Sequence, residues 1–299
     1  MKLDLKKIST ESRNKNTMNL DSMSSYEIAS AMNKEDAEVP KAIKKELKDI
    51  AKMIDLAYSS LLKGGRVIYI GAGTSGRLSV VDASECPPTF GVNSNTFVAL
   101  MAGGKNAFIK AIEGAEDNKE FAVNDLKNIK LNKKDLVIGV AASGRTPYVI
   151  GGLEYARKLK CHTGSIACSK NAEISKYADI KIEVTPGPEV LTGSTRLKAG
   201  TTQKLILNMI STGAMVKMGK CYQNLMIDVI PTNKKLIVRA QNIVMSATKC
   251  SREIAIKTLE ECNYKAKIAT VMILCKCSKE HAIKKLKKAN GHVKKCLNK

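Results

Sequence analysis

The sequence predicts an α/β fold, a three-layer αβα sandwich around a five-stranded parallel sheet. Five short apolar runs alternate with long helical or mixed segments, a rhythm typical of βα units. The runs cover residues 66–70, 96–101, 135–140, 163–168 and 180–184. The first three runs end in small-residue turns, and ligands of open α/β sheets bind at such carboxyl ends of strands.

Helical patterns flank this strand-rich part. Apolar residues recur at helical spacing from Glu35 to Leu62, and Gly64-Gly65 ends this predicted helix. Residues 197–218 have the pattern of one long helix, and residues beyond about 240 are lysine-rich and helical without a strand pattern. We therefore predict a helical N-terminal arm (1–60), an α/β domain that binds ligand (61–239) and a small helical C-terminal module (240–299).

The composition limits which classes of partner and which cellular location we expect. The 299 residues carry a formal charge of +22, and the lysine excess is spread over many segments with acids among them. We interpret it as a solvated surface, and aromatic residues at 4% with no Trp disfavour base stacking, so we expect no nucleic-acid partner. No apolar run approaches the ~20 residues that span a bilayer, and residues 1–10 lack a signal-peptide core. Nine cysteines, an odd number, favour reduced thiols in the cytoplasm.

The turn after the first predicted strand has the pattern of an anion site. Gly71, Gly73 and Gly76 surround Thr74 and Ser75, which offers backbone N–H groups and two hydroxyls where a helix should begin. The spacing G-x-G-x-x-G also occurs in dinucleotide sites. The second strand, however, ends in an Ala-Gly-Gly turn without the acid that holds a ribose, which disfavours a nicotinamide cofactor.

Three turns combine hydroxyl side chains with an arginine. They are Thr74-Ser75-Gly76-Arg77, Ser143-Gly144-Arg145-Thr146 and Gly193-Ser194-Thr195-Arg196. A guanidinium binds phosphate in a planar fork that lysine cannot reproduce. Alternatively, the hydroxyls cap helices and each arginine pairs with an acid. Taken as a set, the turns favour a phosphate or phosphosugar site.

Two acidic positions are candidates for proton transfer. Glu85 stands before Pro87 and Pro88, which we expect to prevent a regular helix there, so its carboxylate lacks an evident structural role. Glu116 belongs to an acidic cluster with Glu113, and it could instead open the next helix. Two carboxylates in different environments can supply an acid and a base at neutral pH.

Other catalytic chemistries find little support in the sequence. The three histidines form no evident dyad with a serine or cysteine, and Cys86 has the pattern of a packed thiol. The C-terminal Cys and His residues do not follow a zinc-finger spacing; they are Cys275, Cys277, His281, His292 and Cys296. We therefore predict neither a metal site nor a cofactor.

Five blocks of this sequence resemble the N-acetylmuramic acid 6-phosphate etherase family, within the sugar-isomerase (SIS) domain superfamily. The blocks are GAGTSGRLSVVDASECPPTFGV (71–92), AGGKNAFIKAIEGAEDN (102–118), GVAASGRTPYVIGGLEYAR (139–157), GPEVLTGSTRLKAGTTQKLILNMISTG (187–213) and NLMIDVIPTN (224–233). The resemblance implies the SIS fold, a homodimer, and cleavage of the D-lactyl ether of the phosphorylated sugar to D-lactate and N-acetylglucosamine 6-phosphate in cell-wall sugar recycling.

The resemblance also implies roles for individual residues. The family's proton donor falls on Glu85 and its second catalytic acid on Glu116. Its phosphate contacts are expected at Thr74, Ser75, Ser143 and Thr146, with Ser194, Thr195, Arg196 and Lys198 as weaker candidates. Ser79, where the family usually has Gly, and Cys168-Ser-Lys170, in place of Cys-Asn-Pro, depart from the pattern without touching a catalytic position.

Two other functions remain open at this point. A sugar-phosphate isomerase on the same fold would need one Glu for transfer of a proton between C1 and C2, and the presence of two candidate acids argues against it. A non-catalytic sugar-phosphate sensor that binds DNA would need a helix-turn-helix arm, and residues 1–60 contain no such pattern.

Overall fold

The computed structural model describes residues 11–110, 112–231 and 233–297. The chain forms two units. The first comprises the residues up to Ser84 together with Asn95–Ser211, and the second comprises Glu85–Ser94 and the residues from Thr212 onward. These two units do not coincide with the three predicted parts. The predicted boundary near residue 240 lies inside a helix, Lys234–Thr248.

The strands and helices follow in chain order. The strands are β1 (Val67–Gly71), β2 (Phe97–Met101), β3 (Leu136–Ala141), β4 (His162–Ala167) and β5 (Ile180–Glu183). The helices are α1 (Ser25–Asp36), α2 (Glu38–Lys44), α3 (Leu47–Leu62), α4 (Gly73–Phe90), α5 (Lys119–Asn128), α6 (Pro147–Lys158), α7 (Lys198–Lys217), α8 (Lys234–Thr248), α9 (Arg252–Glu261), α10 (Ala266–Cys275), α11 (Lys279–Lys288) and α12 (Val293–Leu297).

The five strands form one parallel sheet in the order β2-β1-β3-β4-β5, which confirms the predicted sheet. Each strand lies within two residues of its predicted bounds. Gly71 pairs with Met101 on one side and Val140 on the other, so the ends of β1, β2 and β3 lie at one level. The chain reverses its direction across the sheet between β1 and β3, and this switch point is where ligands of such sheets bind.

Helices cover both faces of the sheet, which completes the predicted αβα layers. On one face Ile68 and Ile70 of β1 pack with α5 and α6 in the main core of the first unit. On the other face Tyr69 donates a hydrogen bond to Asp82 of α4, and Gly164 of β4 lies against Met53 of α3. A Cβ on Gly164 would come within 2.3 Å of the end of the Met53 side chain, so a larger residue there would force that side chain to move.

The N-terminal helical pattern is three helices, and the prediction of one helix from Glu35 to Leu62 is wrong. Ser24 and Glu27 form a capping box that begins α1. Pro40 lies in the first turn of α2, where its missing N–H would have had no helical partner, so it marks a new helix start. The predicted end is confirmed, because α3 stops at Leu62 and Gly64 has a φ of +75°.

The expectation that Pro87 and Pro88 prevent a helix after Glu85 is also wrong, because α4 continues to Phe90. A proline removes one N–H and crowds the carbonyl four residues earlier, which weakens a helix without always ending it. Here both prolines lie in the last turns of α4, and Pro87 still accepts a hydrogen bond from the N–H of Gly91 (2.9 Å). Glu85 is therefore an exposed helical residue.

The second unit has its own helical core, in which α8 to α12 contribute buried residues such as Val244, Leu259, Val271 and Leu286. Its helical character agrees with the predicted C-terminal module. Within the described ranges, none of the helices combines the length and apolarity that crossing a membrane requires.

A buried carboxylate joins β1, α4 and α7 in the first unit. Asp82 accepts hydrogen bonds from the Tyr69 hydroxyl (3.1 Å), from Nδ2 of Asn208 (2.7 Å) and from the Ser211 hydroxyl (2.9 Å). Burial raises the pKa of Asp82, although these donors and the charge of Lys204 oppose the shift. The folded state thus binds the proton of Asp82 more tightly than the unfolded chain does.

This shift predicts a pH dependence that Asp82→Asn should remove. The contribution of a carboxyl with a raised folded pKa is fully present below its unfolded pKa, about 3.9, and is lost as the pH rises through the folded pKa. The free energy of unfolding of the wild type should therefore fall, relative to that of Asp82→Asn, as the pH rises through that range. Urea unfolding at several pH values measures it, with Asp49→Asn as control, because Asp49 is half-buried and pairs with Lys52; a difference that does not change with pH would contradict the assignment.

Candidate active site

The turn from β1 into α4 is built by a close contact of two glycines. A Cβ on Gly71 would lie 2.9 Å from the backbone nitrogen of Gly76, and a Cβ on Gly76 would lie 3.0 Å from the Gly71 carbonyl oxygen. Gly73 has a φ of +52°, a left-handed conformation that favours glycine. The first helical hydrogen bond runs from Gly76 to Ala72, which leaves the N–H groups of residues 73–75 outside the ladder. These N–H groups lie at the helix end where we predict that an anion binds.

The two hydroxyls of this turn have different surroundings. Thr74 is half-buried, whereas Ser75 is buried and donates a hydrogen bond to Oε1 of Gln203 on α7 (2.9 Å). Gln203 is 1% exposed, and its Nε2 finds no hydrogen-bond partner among the described residues. The sequence did not predict a role for Gln203; its one signal there is an amide side chain within the helical pattern of residues 197–218.

A second helix start follows β3. Gly144 has a φ of +70° and packs against Ala172, and the Ser143 hydroxyl accepts a hydrogen bond from the N–H of Arg145 (3.3 Å). Thr146 is the N-cap of α6, but its side chain makes no capping hydrogen bond to that helix. The alternative interpretation, that these hydroxyls serve to cap helices, is therefore not realised at Thr146.

The fold brings these two helix starts together. β1 and β3 are neighbours in the sheet, and their ends meet where Gly71 pairs with Val140. The turns that lead into α4 and α6 therefore leave neighbouring strand ends at the switch point, and these turns carry Thr74, Ser143 and Thr146. Two positive helix ends with adjacent hydroxyls form a favourable site for a phosphate group.

The third turn differs from the first two, because the N-terminus of α7 already holds a carboxylate. Both oxygens of Glu189 accept hydrogen bonds from the N–H groups of Lys198 and Ala199 (2.8 and 2.9 Å). Glu189 is 1% exposed, and burial raises its pKa although these bonds oppose the shift. The negative charge that a substrate would bring to this helix end is thus supplied from within the protein.

The predicted site residues in and after the third turn differ in their exposure and in their partners. Lys198 is buried, and its Nζ forms an ion pair with Glu35 of α1 (2.5 Å), which also accepts a hydrogen bond from Asn16. Ser194 and Thr195 are half-buried and Arg196 is exposed. The structure therefore gives Lys198 an internal partner, which the sequence analysis did not foresee.

A cavity of about 270 Å³ lies beyond the ends of β1 and β2. Its wall contains the start of α4, two glutamates and an arginine, and its residues are Ala72, Gly73, Arg77, Met101, Ala102, Ala107, Ile112, Glu113, Gly114, Ala115 and Glu116. The cavity thus joins the predicted anion-binding turn to one of the predicted acids in a single space.

Glu116 is not the residue that opens the following helix. It lies in a short 3-10 helix, Ala115–Asp117, that precedes α5, and Asn118 caps α5 by accepting a hydrogen bond from the N–H of Glu120 (2.8 Å). The alternative interpretation, that Glu116 serves to begin the next helix, is therefore wrong. Glu113 lines the same cavity and is a second carboxylate that sequence reasoning left without a role.

The remaining predicted residues fall elsewhere. Glu85 begins the second unit, and its pairing with Glu116 stays a prediction. The guanidinium of Arg77 donates to the carbonyl oxygens of Ala107 and Phe108, and Arg145 is exposed. Over the described ranges, no group of three or more His, Cys, Asp or Glu residues is arranged to hold a metal ion.

Comparison with known proteins gives the family. A curated N-acetylmuramic acid 6-phosphate etherase of Bacillus mycoides (strain KBAB4) is 55% identical over 293 residues, which cover 98% of this chain and 100% of that protein. The same-named protein of Bacillus cytotoxicus is 56% identical over the same coverage. The chain belongs to the N-acetylmuramic acid 6-phosphate etherase family. The resemblance noted in the sequence is thereby confirmed.

Two domain families and one solved structure agree with the fold. The SIS domain family matches residues 115–213, and the glucokinase regulatory protein N-terminal SIS domain matches residues 49–157. The phosphoheptose isomerase GmhA from Neisseria gonorrhoeae aligns with a TM-score of 0.50 at 15% identity, over 63% of this chain and 97% of that one. The fold is thus the SIS fold.

The ion pair of Lys198 and Glu35 predicts a selective loss of stability. Glu35→Gln removes the carboxylate that pairs with the buried Lys198 ammonium, and removing one partner of a buried ion pair costs about 3–5 kcal/mol. Glu38→Gln is the matched control, because Glu38 pairs with Lys41 at the exposed surface, where a pair contributes about 0–1 kcal/mol. Urea unfolding at pH 7 measures both variants, and equal losses would contradict a buried role for this pair.

Proposed function

We propose that this protein cleaves the D-lactyl ether at C3 of N-acetylmuramic acid 6-phosphate and releases D-lactate and N-acetylglucosamine 6-phosphate, a step in cell-wall sugar recycling. The observation that carries the proposal is the pair of helix N-termini at the switch point, beside a cavity that Glu116 lines. Relatives named for this substrate match the whole chain, which supports the choice of sugar.

The phosphate group binds the starts of α4 and α6. The N–H groups of residues 73–75 and the hydroxyls of Thr74, Ser143 and Thr146 supply donors there, and Ser75 contributes through its backbone because its hydroxyl is bonded to Gln203. The turn at residues 193–196 is a weaker contributor, since Glu189 occupies the adjoining helix end. The net charge of +22 assists the collection of an anionic sugar at low ionic strength.

The chemistry is an elimination followed by addition of water. In the ring-opened sugar the C2 proton is acidic because it lies next to the aldehyde, and Glu116 removes it as the base. The electron pair left at C2 forms the C2–C3 double bond and expels the lactate oxygen from C3, which Glu85 protonates. Water then adds at C3 and a proton returns to C2, which gives the product sugar. Binding by the phosphate holds the open chain in position for both acids.

The proposal extends to location and assembly. Nine cysteines, all free thiols in the structure, support a reducing cytoplasmic setting. The homodimer implied by the resemblance is part of the proposal, and light scattering of the purified protein tests it. We further propose that residues 61–239 carry the substrate site, with residues 1–60 and 240–299 as helical additions.

Incubation with the phosphorylated muramic sugar in ¹⁸O-labelled water tests the reaction. We expect free D-lactate without label and one ¹⁸O at C3 of the product sugar. Label in the lactate, or conversion between aldose and ketose without lactate release, would overturn the proposed reaction.

Variants of Glu116 and Glu85 should affect different proton transfers of the reaction. Glu116→Gln should lower kcat by ~10²–10⁴-fold and also abolish exchange of the C2 hydrogen with solvent, because the base acts first. Glu85→Gln should abolish lactate release while C2 exchange survives. Glu120→Gln, an exposed acid in the first turn of α5, is the control. Normal lactate release from either catalytic variant contradicts its role.

The phosphate contacts predict changes in KM rather than in kcat. Thr74→Val or Ser143→Ala removes one donor to a charged group, which contributes about 1.5–3 kcal/mol, so KM should rise by ~10–100-fold. Ser194→Ala should raise KM less, because its turn adjoins the helix end that Glu189 fills. Steady-state kinetics with the phosphorylated sugar measure this order, and an equal or larger effect of Ser194→Ala would contradict it.

A further inference from the structure

The loop between β2 and α5 carries both cavity glutamates but has little regular structure of its own. We call residues 103–110 and 112–117 the acid loop. It contains two short 3-10 helices, Lys105–Phe108 and Ala115–Asp117, and three glycines with positive φ: Gly103, Gly104 and Gly114. In the described structure, the backbone hydrogen bonds donated by residues 104–110 and 112–117 are local ones, such as Asp117 to Gly114.

Arg77 ties this loop to α4. Its Nε donates to the carbonyl oxygen of Phe108 (2.9 Å) and its Nη2 donates to that of Ala107 (2.7 Å). These two carbonyls stand at the end of a 3-10 helix, where unsatisfied carbonyls carry partial negative charge. The Arg77 side chain is half-buried, and Ala107 is 2% exposed. Arg77 therefore contacts the acid loop where the loop is packed against the rest of the protein.

The position of Arg77 connects two parts of the site. It follows the glycine turn on α4 by one residue, so its backbone is fixed by the same contact that sets the anion-binding N–H groups. It also lines the cavity together with Glu113 and Glu116. Its Nε and Nη2, one planar pair of guanidinium donors, are engaged with two carbonyls of the loop, so we assign the arginine to the loop rather than to the anion.

We propose that Arg77 is a positioning residue, which holds the acid loop at a fixed distance from the phosphate site so that Glu116 meets C2 of the bound sugar. This inference rests on the proposed function for its kinetic consequence, although its structural consequence is independent of it. Lysine at this position keeps the charge but cannot donate two parallel hydrogen bonds in one plane.

The kinetic effect should fall on kcat. A displacement of about 1 Å in a catalytic group can cost ~10²-fold in rate, so Arg77→Lys should lower kcat by ~10–100-fold. KM should change less than threefold, on the order of a fraction of 1 kcal/mol, because the proposed anion-binding donors belong to the starts of α4 and α6 and not to the Arg77 side chain. Addition of ethylguanidinium to Arg77→Ala should restore part of the rate.

Hydrogen exchange of the loop amides provides the direct test, on the full-length protein without substrate. We expect residues 103–110 to exchange at least tenfold faster in Arg77→Lys than in the wild type, on the order of the loss of two charge-assisted hydrogen bonds. Arg157→Lys is the matched control, because Arg157 is an exposed arginine that donates to one backbone carbonyl, that of Lys176 (3.1 Å). It should change neither loop exchange nor kcat.

The outcomes separate this inference from the proposed reaction. Unchanged loop exchange in Arg77→Lys overturns the positioning role, whatever the activity. A rise in KM that exceeds the fall in kcat also overturns it, because Arg77 would then contact the substrate itself. Absence of lactate release from the wild type overturns the proposed function, while faster loop exchange in Arg77→Lys would still support the structural part of the inference.

Discussion

The contact between Gly71 and Gly76 is the constraint on which the candidate site depends. It brings the end of β1 within van der Waals distance of the first turn of α4, and a side chain at either residue would clash with backbone atoms of the other. The contact determines where the N–H groups of the turn point. It also fixes Arg77 and Asp82 farther along the helix, so the anion site, the support of the acid loop and the buried link to α7 share one origin.

Charge at helix ends explains why three similar turns are not equivalent. The starts of α4 and α6 have no internal anion in the described structure, whereas the start of α7 binds the buried carboxylate of Glu189. A second anion beside Glu189 would be repelled at short range in a medium of low dielectric constant. The turn before α7 therefore holds an anion of the protein itself, whereas the turns before α4 and α6 are the ones proposed to bind the ligand.

The sequence predicted the sheet closely, because β1, β2 and β3 are nearly continuous apolar runs that end in small-residue turns. The helix predictions failed at prolines, because the effect of a proline depends on its position. Pro40 lies in the first turn of a helix, whereas Pro87 and Pro88 are tolerated in the last turns of one. At the site, the helix starts and Glu116 followed from local pattern and resemblance. Arg77, Glu189 and Gln203 could not be assigned, because each acts through a partner distant in sequence or through a turn whose conformation the pattern does not encode.

Glu116, the proposed base, has an exposed side chain, and water surrounds an exposed carboxylate. Binding of the sugar in a cavity of about 270 Å³ would displace water from this carboxylate and strengthen its interaction with the C2 proton. That gain requires the acid loop to stay against the bound sugar, since a loop free to move would let water return. The two hydrogen bonds from Arg77 oppose this movement. In the proposed mechanism, anchoring of the loop and desolvation of the base are therefore linked.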